Sequence, residues 1–252
     1  MYMSKIIYFS IAIFLVSCSN ESQINNEQSN PKNLVEYTWM NVGPNFTAEN
    51  LASLIDIWNN MLDEMGCSLN GANILTPKVS NEAYDFIWVH LWTSLKARDD
   101  CWETWTTKNY QSSWDDSIDG IMDYDLNNVY LFKPTTGRSP KKQNISGTFV
   151  NTFYFCSFNN GYSATDLDIY QKELLKINSF SDLHWYVTLE PMFDSDESQV
   201  DFIWLDLWGS EADKISDQKI WQNTDLPSKV NKMASCSPSM DGVSFMGTVI
   251  RR

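Results

Sequence analysis

The side chains best suited to chemistry sit in two eight-residue stretches, DFIWVHLW from Asp85 to Trp92 and DFIWLDLW from Asp201 to Trp208. Both are rich in aromatic and β-branched residues, and successive side chains of a strand leave on opposite faces. One face then carries Ile87, Val89 and Leu91, matched by Ile203, Leu205 and Leu207, an aliphatic set suited to a core. The other face sets His90 between Trp88 and Trp92, and Asp206 between Trp204 and Trp208. An ionisable group among aromatics needs a hydrogen-bonding partner. Aromatic walls with a few polar groups are also how small-ligand pockets are commonly built. Trp88, His90, Trp92, Trp204, Asp206 and Trp208 are therefore the candidate pocket lining, with His90 the candidate catalytic base. Tyr37 and Asn41, on a strand expected over Leu34 to Asn41, are candidates to face the same space. The competing reading makes His90 and Asp206 satisfied polar residues within packed tryptophans.

Other chemistry has less support. His90 and His184 are the two histidines, and no cysteine or histidine cluster has zinc-ligand spacing, so neither a metal site nor a cofactor is expected. No nucleophile elbow arranges the available Ser, His and Asp as a hydrolase would. Asp115, Ser117, Asp119, Gly120 and Asp123 fall at calcium-loop positions, but Leu126 stands where the closing glutamate belongs. That segment reads as a solvated acidic loop, and Asp194, Asp196 and Glu197 read as turn residues.

The elements that must position these side chains come in two sets. From Asp85 to Asp201 the offset is 116 residues, and at that offset Ala48 meets Ala164, Leu51 meets Leu167, Ser94 meets Ser210 and Trp105 meets Trp221. A register that persists over such a length signals an internal duplication. Each half opens with a β-prone run, Leu34 to Asn41 and Thr152 to Phe158. Thr47 and Ser163 then offer N-cap hydroxyls to amphipathic helices through Leu51, Leu54, Trp58 and Leu62, and through Leu167, Tyr170, Leu174 and Ile177. Second strands are expected over Ala72 to Val79 and His184 to Phe193. Turns at Ser80 to Tyr84 and Asp194 to Gln199 precede the octamer strands. Helices over Thr93 to Thr107 and Ser210 to Asn223 follow, and Val129 to Phe132 and Val243 to Ile250 close the halves. The expected organisation is a first repeat over 34–132, a linker over 133–148 punctuated by Pro134, Gly137, Pro140 and Gly147, and a second repeat over 149–252.

Composition supports a packed globular unit, with 43% hydrophobic and 14% aromatic residues. The formal charge of −14 makes nucleic acid and anionic lipid headgroups poor partners. Ahead of the repeats, Lys5 precedes an apolar run from Ile6 to Val16, the length of a signal-peptide core. The run ends in Leu15-Val16-Ser17-Cys18, which resembles the bacterial lipoprotein box. That resemblance implies a signal peptide over 1–17, acylation of Cys18, and a bilayer as partner through the acyl chains. Residues 18–33, poor in apolar side chains, read as a flexible tether. Ser19, in place of the aspartate that marks inner-membrane retention in many such proteins, favours the outer membrane, with the folded part facing the periplasm or exterior.

The order β-α-β-β-α-β, twice, is the ferredoxin-like plan. Over residues 34–250 the chain resembles the dimeric α/β-barrel superfamily, and that resemblance implies an α+β fold in which two tandem units pack as an intramolecular barrel. Superfamily relatives include cofactor-free monooxygenases, haem-binding or haem-degrading enzymes and small isomerases. In such a unit the fourth strand lies beside the first, and the end of helix one approaches the start of helix two. Of the three pairings open to Cys67, Cys101, Cys156 and Cys236, this topology selects Cys67 with Cys101 and Cys156 with Cys236; four buried free thiols are the alternative. Three functions stay open: a module holding a small apolar or aromatic ligand, a cofactor-independent oxygenase- or isomerase-like enzyme, and a structural or assembly lipoprotein. The tryptophans kept in both halves favour binding or packing over catalysis.

Overall fold

In the computed structural model, which describes residues 32–193, 200–237 and 242–252, the first half folds as β1 (Lys32–Val42), α1 (Ala48–Met65), β2 (Leu69–Pro77), β3 (Phe86–Ser94), α2 (Leu95–Thr107), α3 (Tyr110–Ile118) and β4 (Met122–Arg138). The second half folds as β5 (Thr148–Phe158), α4 (Ala164–Leu174), β6 (Trp185–Pro191), β7 (Phe202–Trp208), α5 (Glu211–Gln222), α6 (Leu226–Met233), β8 (Ala234–Ser237) and β9 (Val243–Arg251). The signal segment, Cys18, the tether as far as Pro31 and the turn at Asp194 to Gln199 lie outside the described residues.

Local signals set the helix ends. Thr47 Oγ1 accepts the Asn50 N–H at 3.1 Å, starting α1. Gly66, at φ 69°, stops it in the left-handed conformation that lacks a Cβ penalty. Ser94 caps α2 and Ser210 caps α5, each through the amide three residues on. Ser163 and Asp166 form a capping box at α4.

All strand pairs are antiparallel. The first half is ordered β4-β1-β3-β2 and the second β9-β5-β7-β6, with β8 pairing β5 over residues 155–158 beyond the stretch that pairs β9. Two seams, β2 with β9 and β4 with β6, join the halves into an eight-stranded antiparallel barrel flanked by six helices among the described residues. Closure leaves no long edge to be covered.

Three cores result. The barrel interior takes Val35, Tyr37, Ile87, Val89, Phe153, Leu205 and their neighbours, drawn from all eight barrel strands and from no helix. The outward faces of the first half pack under α1, α2 and α3, where Leu54, Trp58 and Leu62 meet Trp88 and Trp92. Those of the second half pack under α4, α5 and α6, where Leu167, Tyr170 and Leu174 meet Trp204. Cys67 is bonded to Cys101, tying the end of α1 to α2, and Cys156 to Cys236, tying β5 to β8.

Some expected boundaries move. Residues 133–138 are strand instead of linker, because β4 continues past β1 to pair with β6, from Phe132 opposite Pro191 to Arg138 opposite Tyr186. The connection shrinks to residues 139–147. Lys32 and Asn33, expected in the tether, begin β1, where Lys32 lies opposite Ser94. The acidic segment from Asp115 is not a loop: residues 115–118 end α3, whose Trp114 and Ile118 are buried, and β4 starts at Met122. A calcium loop over those twelve positions is therefore ruled out by the backbone path.

Candidate functional site

Parity along β1 sends Leu34, Glu36, Thr38 and Met40 outward to the helices, while Val35 and Tyr37 enter the barrel. The β1–β3 register puts Glu36 opposite His90 and Thr38 opposite Trp88. Glu36 is only 1% exposed. Its burial is tolerable because the Arg98 guanidinium from α2 donates Nε–H to it, and Trp102 donates its indole N–H at 3.2 Å. Burial pushes the His90 imidazole down to a pKa of about 4; the Glu36 carboxylate opposes the shift and Arg98 adds to it. His90 is thus neutral at pH 7, packed against Trp58, Trp92 and Trp102 with ring centroids 5.3 to 5.7 Å away. Beside this group lies a cavity of about 340 Å³ walled by Trp58, Trp88, Trp102, Trp105 and Trp114, with Arg98 at its margin.

The second half has a larger cavity, about 600 Å³, in the corresponding place beneath α4, α5 and α6. Here Thr152 stands where Glu36 stands in the first half, Asp206 replaces His90, and Lys214 replaces Arg98. Lys214 Nζ donates to Thr152 Oγ1 and Ser244 Oγ, both at 2.9 Å. The imidazole instead comes from His184, just before β6, whose Nε2 is 3.0 Å from Asp206 Oδ1. His184 stacks on Trp208 with centroids 5.3 Å apart. Its Nδ1 is 3.9 Å from Oδ2 of Asp217, an α5 residue that also accepts the Ser181 N–H at 2.9 Å. Burial raises the Asp217 carboxyl above its ordinary pKa; the Ser181 amide and His184 pull the other way. Each half therefore gathers an acid, an imidazole and a cation under its helices; the cation keeps its place at the 116-residue offset, whereas the acid and the imidazole come from different positions.

Of the residues singled out from sequence, Trp88 and His90 line the smaller cavity, and Trp204, Asp206 and Trp208 line the larger one. Trp92 is fully buried behind His90 and does not line the smaller cavity. Tyr37 belongs to the barrel interior, its ring edge-on to Phe132 and Phe153, because odd positions of this part of β1 point inward. Asn41 is exposed near the end of β1 and lines neither cavity. Glu36, Arg98, Trp102, His184 and Asp217 were missed. Glu36 did leave a signal: a lone acid at an alternating position between Leu34 and Thr38 in an apolar strand demands a buried partner.

A closed eight-stranded antiparallel barrel with helices on its outside is the architecture of the dimeric α/β-barrel proteins. No protein-family model and no curated protein matches this chain. Solved structures do share its fold. A variant of chlorite dismutase from Candidatus Nitrospira defluvii superposes with a TM-score of 0.51 at 7% identity, covering 88% of this chain and 92% of that one. A haem-binding protein from Thermus thermophilus gives 0.50 at 9% identity, with 87% and 91% covered. These likenesses are similarities of fold.

Proposed function

We propose that the chain is an exported, lipid-anchored protein whose two ferredoxin-like repeats, descended from one duplicated unit, hold small apolar or aromatic ligands in the cavities beneath their helices. The observation that carries the ligand reading is the recurrence of a tryptophan-walled cavity, about 340 and 600 Å³, at the corresponding place in each half. The 116-residue register and the matched strand orders support the duplication. The anchor rests on Leu15 to Cys18, with an outer-membrane position favoured by Ser19. Native mass spectrometry of protein extracted from its host membrane tests the ligand, with a retained small molecule expected. A bare polypeptide mass, together with tryptophan fluorescence indifferent to small aromatics, would overturn it. Metabolic labelling with an acyl-chain analogue tests the anchor: label should vanish in Cys18→Ser.

Haem, which the name of one structural neighbour mentions, does not fit these residues. His184 has its Nε2 engaged by Asp206 and its Nδ1 turned to Asp217, and His90 is wedged among tryptophans with Nδ1 toward Glu36. Asp206 and Asp217, which line the larger cavity, are carboxylates, the same sign as haem propionates.

An isomerase-like reading has one specific support, the Asp206–His184 pair at the wall of the larger cavity. A carboxylate braced by an imidazole suits proton transfer. His90, packed on several sides, suits it less. Incorporation of solvent deuterium into a bound ligand, lost in Asp206→Asn, tests this reading.

A further inference from the structure

We propose that the larger cavity takes an organic ammonium: a protonated amine on an apolar or aromatic body, donating N–H to Asp206 while its body lies against Trp204, Tyr170 and Trp221. This rests on the ligand-binding reading above and narrows it to a chemical class.

The lining charges point that way. Asp206 and Asp217 line the cavity, and no lysine or arginine does among the described residues. The nearby cations, Lys214 and Arg138, are not part of that lining. Lys214 is bonded to Thr152 and Ser244 and lies over the Trp208 ring at 5.9 Å, and Arg138 sits over Phe180 and donates to the Ile177 carbonyl at 3.4 Å. Asp206 gives one oxygen to His184, and its side chain remains 19% exposed where that of His184 is 3%. The carboxylate is thus the open member of the pair. Asp217 accepts Ser181 N–H on one oxygen, and its buried Oδ2 has no hydrogen bond among the described residues. A half-desolvated carboxylate in an aromatic-walled pocket is favourable when a cation arrives to pair with it.

The walls suit the same ligand. Trp221 donates its indole N–H to Tyr170 Oη at 3.0 Å, and Tyr170 stands edge-on to Trp204 at 6.0 Å, so three aromatic rings are held together by their own contacts. Ammonium groups are attracted to aromatic faces. In the smaller cavity, by contrast, Glu36 is the carboxylate of the described lining and is already claimed by Arg98 and Trp102. The chain's net charge of −14 further favours a cation's approach.

The test is a calorimetric and fluorescence titration of the full chain with three probes sharing one body: tryptamine (ammonium), indole-3-ethanol (neutral) and indole-3-propionate (carboxylate). Tryptamine should bind about tenfold or more tightly than the alcohol, the carboxylate least, since a hydrogen bond to a charged partner carries that difference. Asp206→Asn should bring tryptamine and the alcohol to parity. Equal affinities in the wild type, or a preference that survives Asp206→Asn, would overturn the proposal while leaving the ligand reading standing. Silence from all three probes would overturn both. The wild-type series decides the matter even if the variant does not fold.

Discussion

Glu36 Oε1 lies 3.5 Å from His90 Nδ1, on directly opposed positions of β1 and β3, with both residues at most 5% exposed. The contact is too long for a strong hydrogen bond, and Glu36 is held chiefly by Arg98 and Trp102. A buried carboxylate beside a neutral imidazole gives the fold a defined response to acid.

Burial holds the folded His90 pKa near 4, below the unfolded value of 6.5. As pH falls below 6.5 the unfolded chain takes up the proton first, so stability is lost between about pH 6.5 and 4 and this contribution levels off below. The loss from this one group is on the order of 3 kcal/mol. Urea midpoints at pH 7 and pH 4.5 should show a smaller acid-induced drop in His90→Asn than in the wild type; equal drops would refute this account of His90.

Arg98→Met should destabilise the chain by about 3 to 5 kcal/mol, because it strands the Glu36 charge in a dry site. Glu36→Gln combined with Arg98→Met should recover much of that loss. A double-mutant cycle by chemical denaturation measures the coupling, and additive losses would mean that the pair does not act as a unit.

Non-reducing peptide mapping should recover Cys67 linked to Cys101 and Cys156 linked to Cys236. The bridges span 34 and 80 residues of sequence. Replacing Cys67 and Cys101 together by serine should cost about 2 to 4 kcal/mol, since the unfolded chain regains its loop freedom. Recovery of a Cys67 to Cys156 peptide would contradict the topology itself.

Gly247 on β9 lies under the Phe149 ring, and a methyl group there would stand 2.2 Å from Cζ. Gly247→Ala should therefore cost about 1 to 3 kcal/mol through overpacking. Adding Phe149→Leu should relieve part of it. Thermal melts of the single and double variants would show this as a partial recovery of Tm, and a harmless single variant would mean that the ring moves freely.

Much of the strand and helix pattern was legible in the sequence. Alternation in the two octamers identifies β3 and β7 and separates their aliphatic from their mixed faces, because period two is a property of the extended backbone itself. Thr47 and Ser163 mark helix starts by local hydrogen bonding that needs no distant partner. The 116-residue register, likewise, is visible without any coordinates. Only the tertiary structure decided which octamer face meets the helices: an inside exists once β2 meets β9 and β4 meets β6, and the ring then claims Ile87, Val89 and Tyr37 while leaving Trp88 and His90 to the helix layer. Trp88, His90, Trp204, Asp206 and Trp208 were legible as cavity lining, but their polar partners were hidden for the same reason. Glu36 finds Arg98 across 62 residues and Asp206 finds His184 across 22, partnerships set by strand register and helix docking, which no local spacing encodes.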